Sequence, residues 1–171
     1  MMDLSPSSST AMTSSKDAAF YFKRSKDKFS TGDVEGAFAD LDQSIFLAPD
    51  NVEYRWERVN LRYEAKEYQP AVEDFSAIIQ YSKDAEELIV AHRKRSIFLE
   101  VLGRYDDLLA DLDWLIAHNA ATDGHYTWRG HHKVLKGLFS EAVEDFTAAL
   151  KLRPNTNNTL LVRANAYSRL K

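Results

Sequence analysis

Apolar residues recur at helical spacing along most of the chain, and turn residues cut the pattern into pairs. Phe20, Tyr21 and Phe29 mark a first helix beginning near Asp17, and Thr31-Gly32-Asp33 turns the chain. Val34, Ala37, Phe38, Leu41 and Ile45 mark a second helix that closes near Pro49. The pattern predicts further pairs over 51–65 with 68–81, and 85–102 with 105–118. Gly103 turns the latter, while Lys66 stands where the former would carry a turn glycine. A fourth pair runs from Tyr126 to Pro154 around Gly137, and a last helix is expected over 157–170. Residues 1–15 are mostly Ser, Thr and small side chains with almost nothing to bury, which predicts a disordered leader whose hydroxyls are possible phosphate acceptors.

The pairs are repeats. Arg24, Arg58, Arg95, Arg129 and Arg163 occupy one position of each first helix and step by 34, 37, 34 and 34 residues. Asp40, Asp74, Asp111 and Asp145 on the second helices step by 34, 37 and 34, so a three-residue insertion lies between Asp74 and Arg95, near 81–88. Within a hairpin each arginine and its aspartate are about equally far from the bend. Antiparallel packing then brings them level, and a half-buried guanidinium needs such a partner. The alternative is a set of exposed charges that merely recur.

With these columns in place the repeats resemble tetratricopeptide repeats. The small column reads Ser25, Val59, Ser96, Gly130 and Ala164. The alanine column reads Ala37, Ala71, Leu108 and Ala142, and the large column beneath it Leu41, Phe75, Leu112 and Phe146. Leu108 departs from the family pattern, and the closing proline is absent from the second and third repeats. The resemblance covers 16–171, with repeats at about 18–50, 51–84, 85–121 and 122–155 and a terminal helix over 156–171. It implies an all-α fold, a right-handed superhelix of four helix-turn-helix repeats plus a C-terminal helix, with first helices lining a concave groove. Each pair leaves an apolar face that only the next pair covers. The last helix, with Leu160, Leu161, Ala164 and Tyr167, would normally pack on a second one. The array therefore reads as cut short; the alternative is a capping helix, since Asn158, Asn165 and Ser168 are polar.

Composition narrows the function. The 171 residues are 44% hydrophobic and 28% charged, enough for one domain with a core. No cysteine occurs, which removes disulfides, thiolate nucleophiles and cysteine metal sites. A formal net charge of −4 argues against wholesale attraction to nucleic acid. No apolar run approaches a membrane span and no signal peptide is evident, so a cytoplasmic protein is expected. First helices are net basic and second helices net acidic, which makes RNA binding an alternative in another class, though acidic second helices would repel a polyanion.

Candidate chemistry is sparse. His125, His131 and His132 lie at spacings poor for a shared metal face and read as surface histidines. Adjacent acids such as Asp106-Asp107 diverge on a helix, and no phosphate loop, GxSxG or HExxH occurs, so no catalytic residue, metal or cofactor is assigned. A co-chaperone carboxylate clamp is the alternative within the family. Its Lys, Asn and Arg positions fall here on Phe22, Lys26, Glu57, Val90 and Lys94, and Glu57 would oppose a carboxylate. What remains is a scaffold or adaptor that binds an extended or acidic segment of another protein. If the family's geometry holds, the groove set is Phe22, Lys23, Lys26 and Phe29, then Trp56, Glu57, Asn60 and Tyr63, then Arg93, Lys94, Ile97 and Glu100, then Thr127, Trp128, His131 and Val134. Within it, the peptide-binding candidates are Phe22, Lys23, Lys26, Trp56, Asn60, Tyr63, Arg93, Lys94, Trp128 and His131, since anchor pockets favour aromatics and basic side chains favour an acidic segment. The competing reading puts Trp56 and Trp128 in the core between repeats.

Overall fold

The structure, a computed structural model, describes residues 17–170, so the predicted leader lies outside it. The described residues form nine α-helices and no strand. They are α1 (Ala18–Ser30), α2 (Val34–Leu47), α3 (Val52–Glu64), α4 (Tyr68–Tyr81), α5 (Ala85–Val101), α6 (Tyr105–Ala117), α7 (Asp123–Leu135), α8 (Phe139–Leu152) and α9 (Asn157–Ser168). None is long and apolar enough to cross a membrane.

Local chemistry sets the helix ends. Asp17, Asp33 and Asp84 precede α1, α2 and α5, and each carboxylate accepts the free backbone N–H of a first-turn residue, Phe20, Gly36 or Glu87, at 2.8–2.9 Å. Tight turns join each pair by a left-handed residue, Gly32 at φ 85°, Gly103 at 69° and Gly137 at 76°. Lys66 takes the same conformation at φ 59°, which costs a side chain what glycine avoids.

The chain divides at Pro49 into two compact units. In the first, α1 packs on α2 through Ser25, Ala37, Leu41 and Ile45. In the second, α3 to α8 pair as α3–α4, α5–α6 and α7–α8, with α4 also against α5, and α8 against α9. The small, alanine and large columns form the core. Ala71, Leu108 and Ala142 are fully buried, as are Phe75, Leu112 and Phe146. Burying a side chain the size of Phe75 contributes about 1.5–3 kcal/mol relative to leaving it in water. Gly130 shows why the small column is small, because a Cβ there would stand 2.7 Å from Cε1 of Phe146. Ala164, the fifth member, is exposed instead.

The arginine and aspartate columns meet in all four hairpins. Arg24 Nε and Nη2 reach the Asp40 carboxylate at 2.6 and 2.5 Å. Arg58 does the same to Asp74 at 2.9 and 2.5 Å, and Arg95 to Asp111 at 3.0 and 2.6 Å. Arg129 Nε lies 2.9 Å from Asp145, with Nη2 on the other oxygen. All four carboxylates are buried. Each takes a second basic group one turn away: Lys28, Arg62, His92 or Lys133.

The inserted residues lengthen a helix. α5 has 17 residues against 13 in α3, and the extra turn sits at its start, where Glu87 bonds both the Trp56 indole N–H at 2.7 Å and Ser82. One histidine departs from the expectation of surface placement. His132 is buried, its Nε2 2.8 Å from Glu100 and its ring 4.7 Å from that of Tyr105. Its position on α7 turns it toward the preceding pair, where a carboxylate and an aromatic face await it.

Candidate functional site

The second unit holds a cleft of about 230 Å³ between α3 and α5, with α4 beneath. Helical spacing brings Asn60 and Tyr63 of α3 to one wall and Lys94 and Ile97 of α5 to the other. Val59, Phe75 and Phe98 form the floor, and all three are buried. Phe75 and Phe98 meet edge to face with centroids 5.3 Å apart, a favoured aromatic arrangement. Tyr63 leans over Phe98 at 5.8 Å yet remains 62% exposed, and Ile97 is 53% exposed. These are large apolar side chains facing water across an apolar floor, beside an amide and an ammonium.

Among the proposed binding residues, the cleft therefore gathers Asn60, Tyr63 and Lys94. Trp56 stands next to it. Its ring packs edge-on against Phe75 at 5.6 Å, its N–H is held by Glu87, and Lys94 Nζ lies 5.9 Å from the ring centroid. Trp56 is thus partly a wall of the core and partly a platform for Lys94. Arg93 is turned away, with Nη2 donating to the carbonyl of Ala120 at 3.1 Å. Trp128 packs partly buried on the same core cluster. His131 sits edge-on to Phe146 at 5.7 Å, where burial, with a lesser contribution from neighbouring His132, holds its pKa below the ordinary 6.5. In the first unit, Lys26 Nζ lies 4.0 Å over the Phe22 ring, and Lys23 is exposed on the same helix.

Phe98 and Glu87 escaped the sequence reading. Phe98 sits three residues after the arginine column, where the other repeats carry Asp27, Leu61, His132 and Ala166. Glu87 lies within the insertion, and the broken step of 37 was the signal that something there is particular to this chain.

No family model matches the chain, and no curated protein matches it. Solved structures do. The MamA protein aligns with a TM-score of 0.67 at 16% identity, over 90% of this chain and 82% of that one. MamA from Desulfovibrio magneticus RS-1 aligns at 0.63 and 18% identity, over 90% and 85%. YrrB, described as a TPR protein with an unusual peptide-binding site, aligns at 0.65 and 18% identity, over 90% and 77%. The fold of this chain is the tetratricopeptide-repeat fold.

Proposed function

We propose that the protein is a binding scaffold whose α3–α5 cleft receives an extended segment of a partner protein. The segment carries a large apolar side chain followed closely by a carboxylate. The observation that carries this reading is the pairing of Tyr63 and Ile97, both well exposed over the buried Phe75–Phe98 floor, with Lys94 at the rim. Water is poorly accommodated between such walls, and an apolar side chain displaces it favourably. Asn60 is placed to hydrogen-bond a backbone amide, and Lys94 to meet the carboxylate. The peptide-binding site named for YrrB, a protein of the same fold, supports the reading.

The test is selection from a random peptide library on the immobilised chain. Enriched peptides should share an aromatic or aliphatic residue near Asp or Glu. Tyr63→Ala and Ile97→Asp should each weaken their binding by about ten-fold, a buried anchor's usual worth, with the thermal melt nearly unchanged. Lys94→Glu should remove the acidic preference. Peptides that bind all three variants equally well would place the binding surface elsewhere.

A further inference from the structure

The inserted residues reach the α3–α5 cleft through one carboxylate. The other first helices begin six residues before the arginine column, at Ala18, Val52, Asp123 and Asn157, whereas α5 begins ten before it, at Ala85. Glu87 lies in this added turn, where the other first helices have no helical residue. Its carboxylate is held at two points. One oxygen accepts the Trp56 indole N–H at 2.7 Å, and the other accepts the hydroxyl of buried Ser82. The positions equivalent to Trp56 carry Phe22, Arg93, Thr127 and Leu161, so the indole of this column stands beside the helix that is lengthened.

The indole couples that turn to the rim of the cleft. Glu87 and Lys94 are seven residues apart on one face of α5, a rise of about 10.5 Å. Trp56 bridges them, with its N–H edge on Glu87 and its ring face toward Lys94, whose Nζ lies 5.9 Å from the centroid. Phe75 meets the same ring edge-on at 5.6 Å. A half-buried indole N–H without an acceptor is costly, and the ring would turn to find water. Lys94 is exposed, and its four-carbon stem is flexible. A fixed ring face favours the conformers that keep its ammonium at the rim.

We infer that Glu87 is the positioning residue that sets the cleft's preference for an acidic segment, acting through Trp56 to fix the face on which the Lys94 ammonium rests. This rests on the reading of the cleft as a peptide site and adds how its charge selectivity is set. The sign of the effect is distinctive. Glu87 is itself an anion, so by charge alone it opposes an acidic peptide, and its removal would tighten that peptide's binding. By position it does the reverse, because losing it releases Lys94.

Two capped pentapeptides, Gly-Phe-Asp-Gly-Gly and Gly-Phe-Asn-Gly-Gly, would be titrated into the isotope-labelled full chain and followed by NMR, which reads weak binding. The parent should bind the acidic peptide about three-fold more tightly, the scale of a rim ion pair. Glu87→Leu should abolish that ratio. Glu87→Gln should keep it, since the amide oxygen accepts the indole N–H and the amide NH2 donates to Ser82. Trp56→Phe, which needs no acceptor, should lose the preference, and adding Glu87→Leu should lower it no further. Without peptide, the Lys94 Cε protons should carry an upfield ring-current shift in the parent and in Glu87→Gln but not in Glu87→Leu. A ratio that rises in Glu87→Leu, a ratio lost in Glu87→Gln or kept in Trp56→Phe, or a Lys94 shift that survives Glu87→Leu would each overturn the role of Glu87. The test therefore stands on Glu87→Gln and Trp56→Phe even where Glu87→Leu fails to fold. Failure of both peptides to shift Tyr63 and Ile97 in the parent would instead overturn the cleft reading, and this inference with it.

Discussion

Arg58 and Asp74 face each other as two parallel N–H···O bonds, and Arg62 adds a third at 2.6 Å to the same carboxylate. Asp74 is 2% exposed, and both arginines are largely covered. One buried carboxylate thus holds two guanidinium groups at the centre of the α3–α4 hairpin. Asp74→Ala removes the buried carboxylate that both guanidinium groups share, and breaking a buried pair from one side costs about 3–5 kcal/mol. Urea unfolding should report a loss of that size. Replacing Asp74 by Leu together with Arg58 by Met should cost less than Asp74→Ala, because one of the two guanidinium groups that lose the carboxylate is then gone. A loss under about 1 kcal/mol for Asp74→Ala would reduce the column to surface decoration.

Lys66 offers a test of the opposite sign. It holds a left-handed backbone at φ 59° in the turn where the equivalent repeats use Gly32, Gly103 and Gly137. Left-handed geometry costs a side-chain-bearing residue about 1–2 kcal/mol, partly offset by the freedom glycine brings to the unfolded chain. Lys66→Gly should therefore raise stability by about 0.5–1 kcal/mol. Gly137→Lys should lower it by a similar amount, since nothing lies within 4 Å of the Cβ position and only the backbone resists. Urea midpoints of the two variants moving in the same direction would refute the account.

The repeat arithmetic made the fold legible, because spacing alone aligned the arginine and aspartate columns that the hairpins bring together. The cleft was legible in part. The geometry implied by the resemblance put Asn60, Tyr63 and Lys94 in the groove, and they line facing walls of the cleft. Phase does not say how far a long side chain leans, and Arg93, one residue from Lys94, instead reaches back to Ala120. Trp56 belongs to both readings for the same reason. Its ring is large enough to touch Phe75 on one side and lie beneath Lys94 on the other. His132 was misread because burial depends on the neighbouring pair. Glu100 and Tyr105, which receive it, are 32 and 27 residues earlier in sequence.

His125 gives the second unit a pH-dependent helix end. The backbone N–H of Thr122 donates to His125 Nδ1 at 2.9 Å, closing the N-terminus of α7. Only the neutral ring accepts there, because a protonated imidazole carries hydrogen on both nitrogens. Burial, helped by the charge of Arg93, lowers the His125 pKa from its ordinary 6.5. The unfolded chain therefore binds this proton at a higher pH than the folded one. Stability must rise with pH across that window and fall as the solution is acidified below about 6.5. Burial of His131 acts in the same sense, so the two contributions need separating. His125→Gln retains a side-chain acceptor of the kind that closes a capping box but does not titrate. Urea unfolding at several values between pH 7.5 and 5 should give a shallower acid loss for this variant than for the parent. Matching slopes would mean that His125 titrates alike in the folded and unfolded chain and that the Thr122 bond survives protonation of the ring.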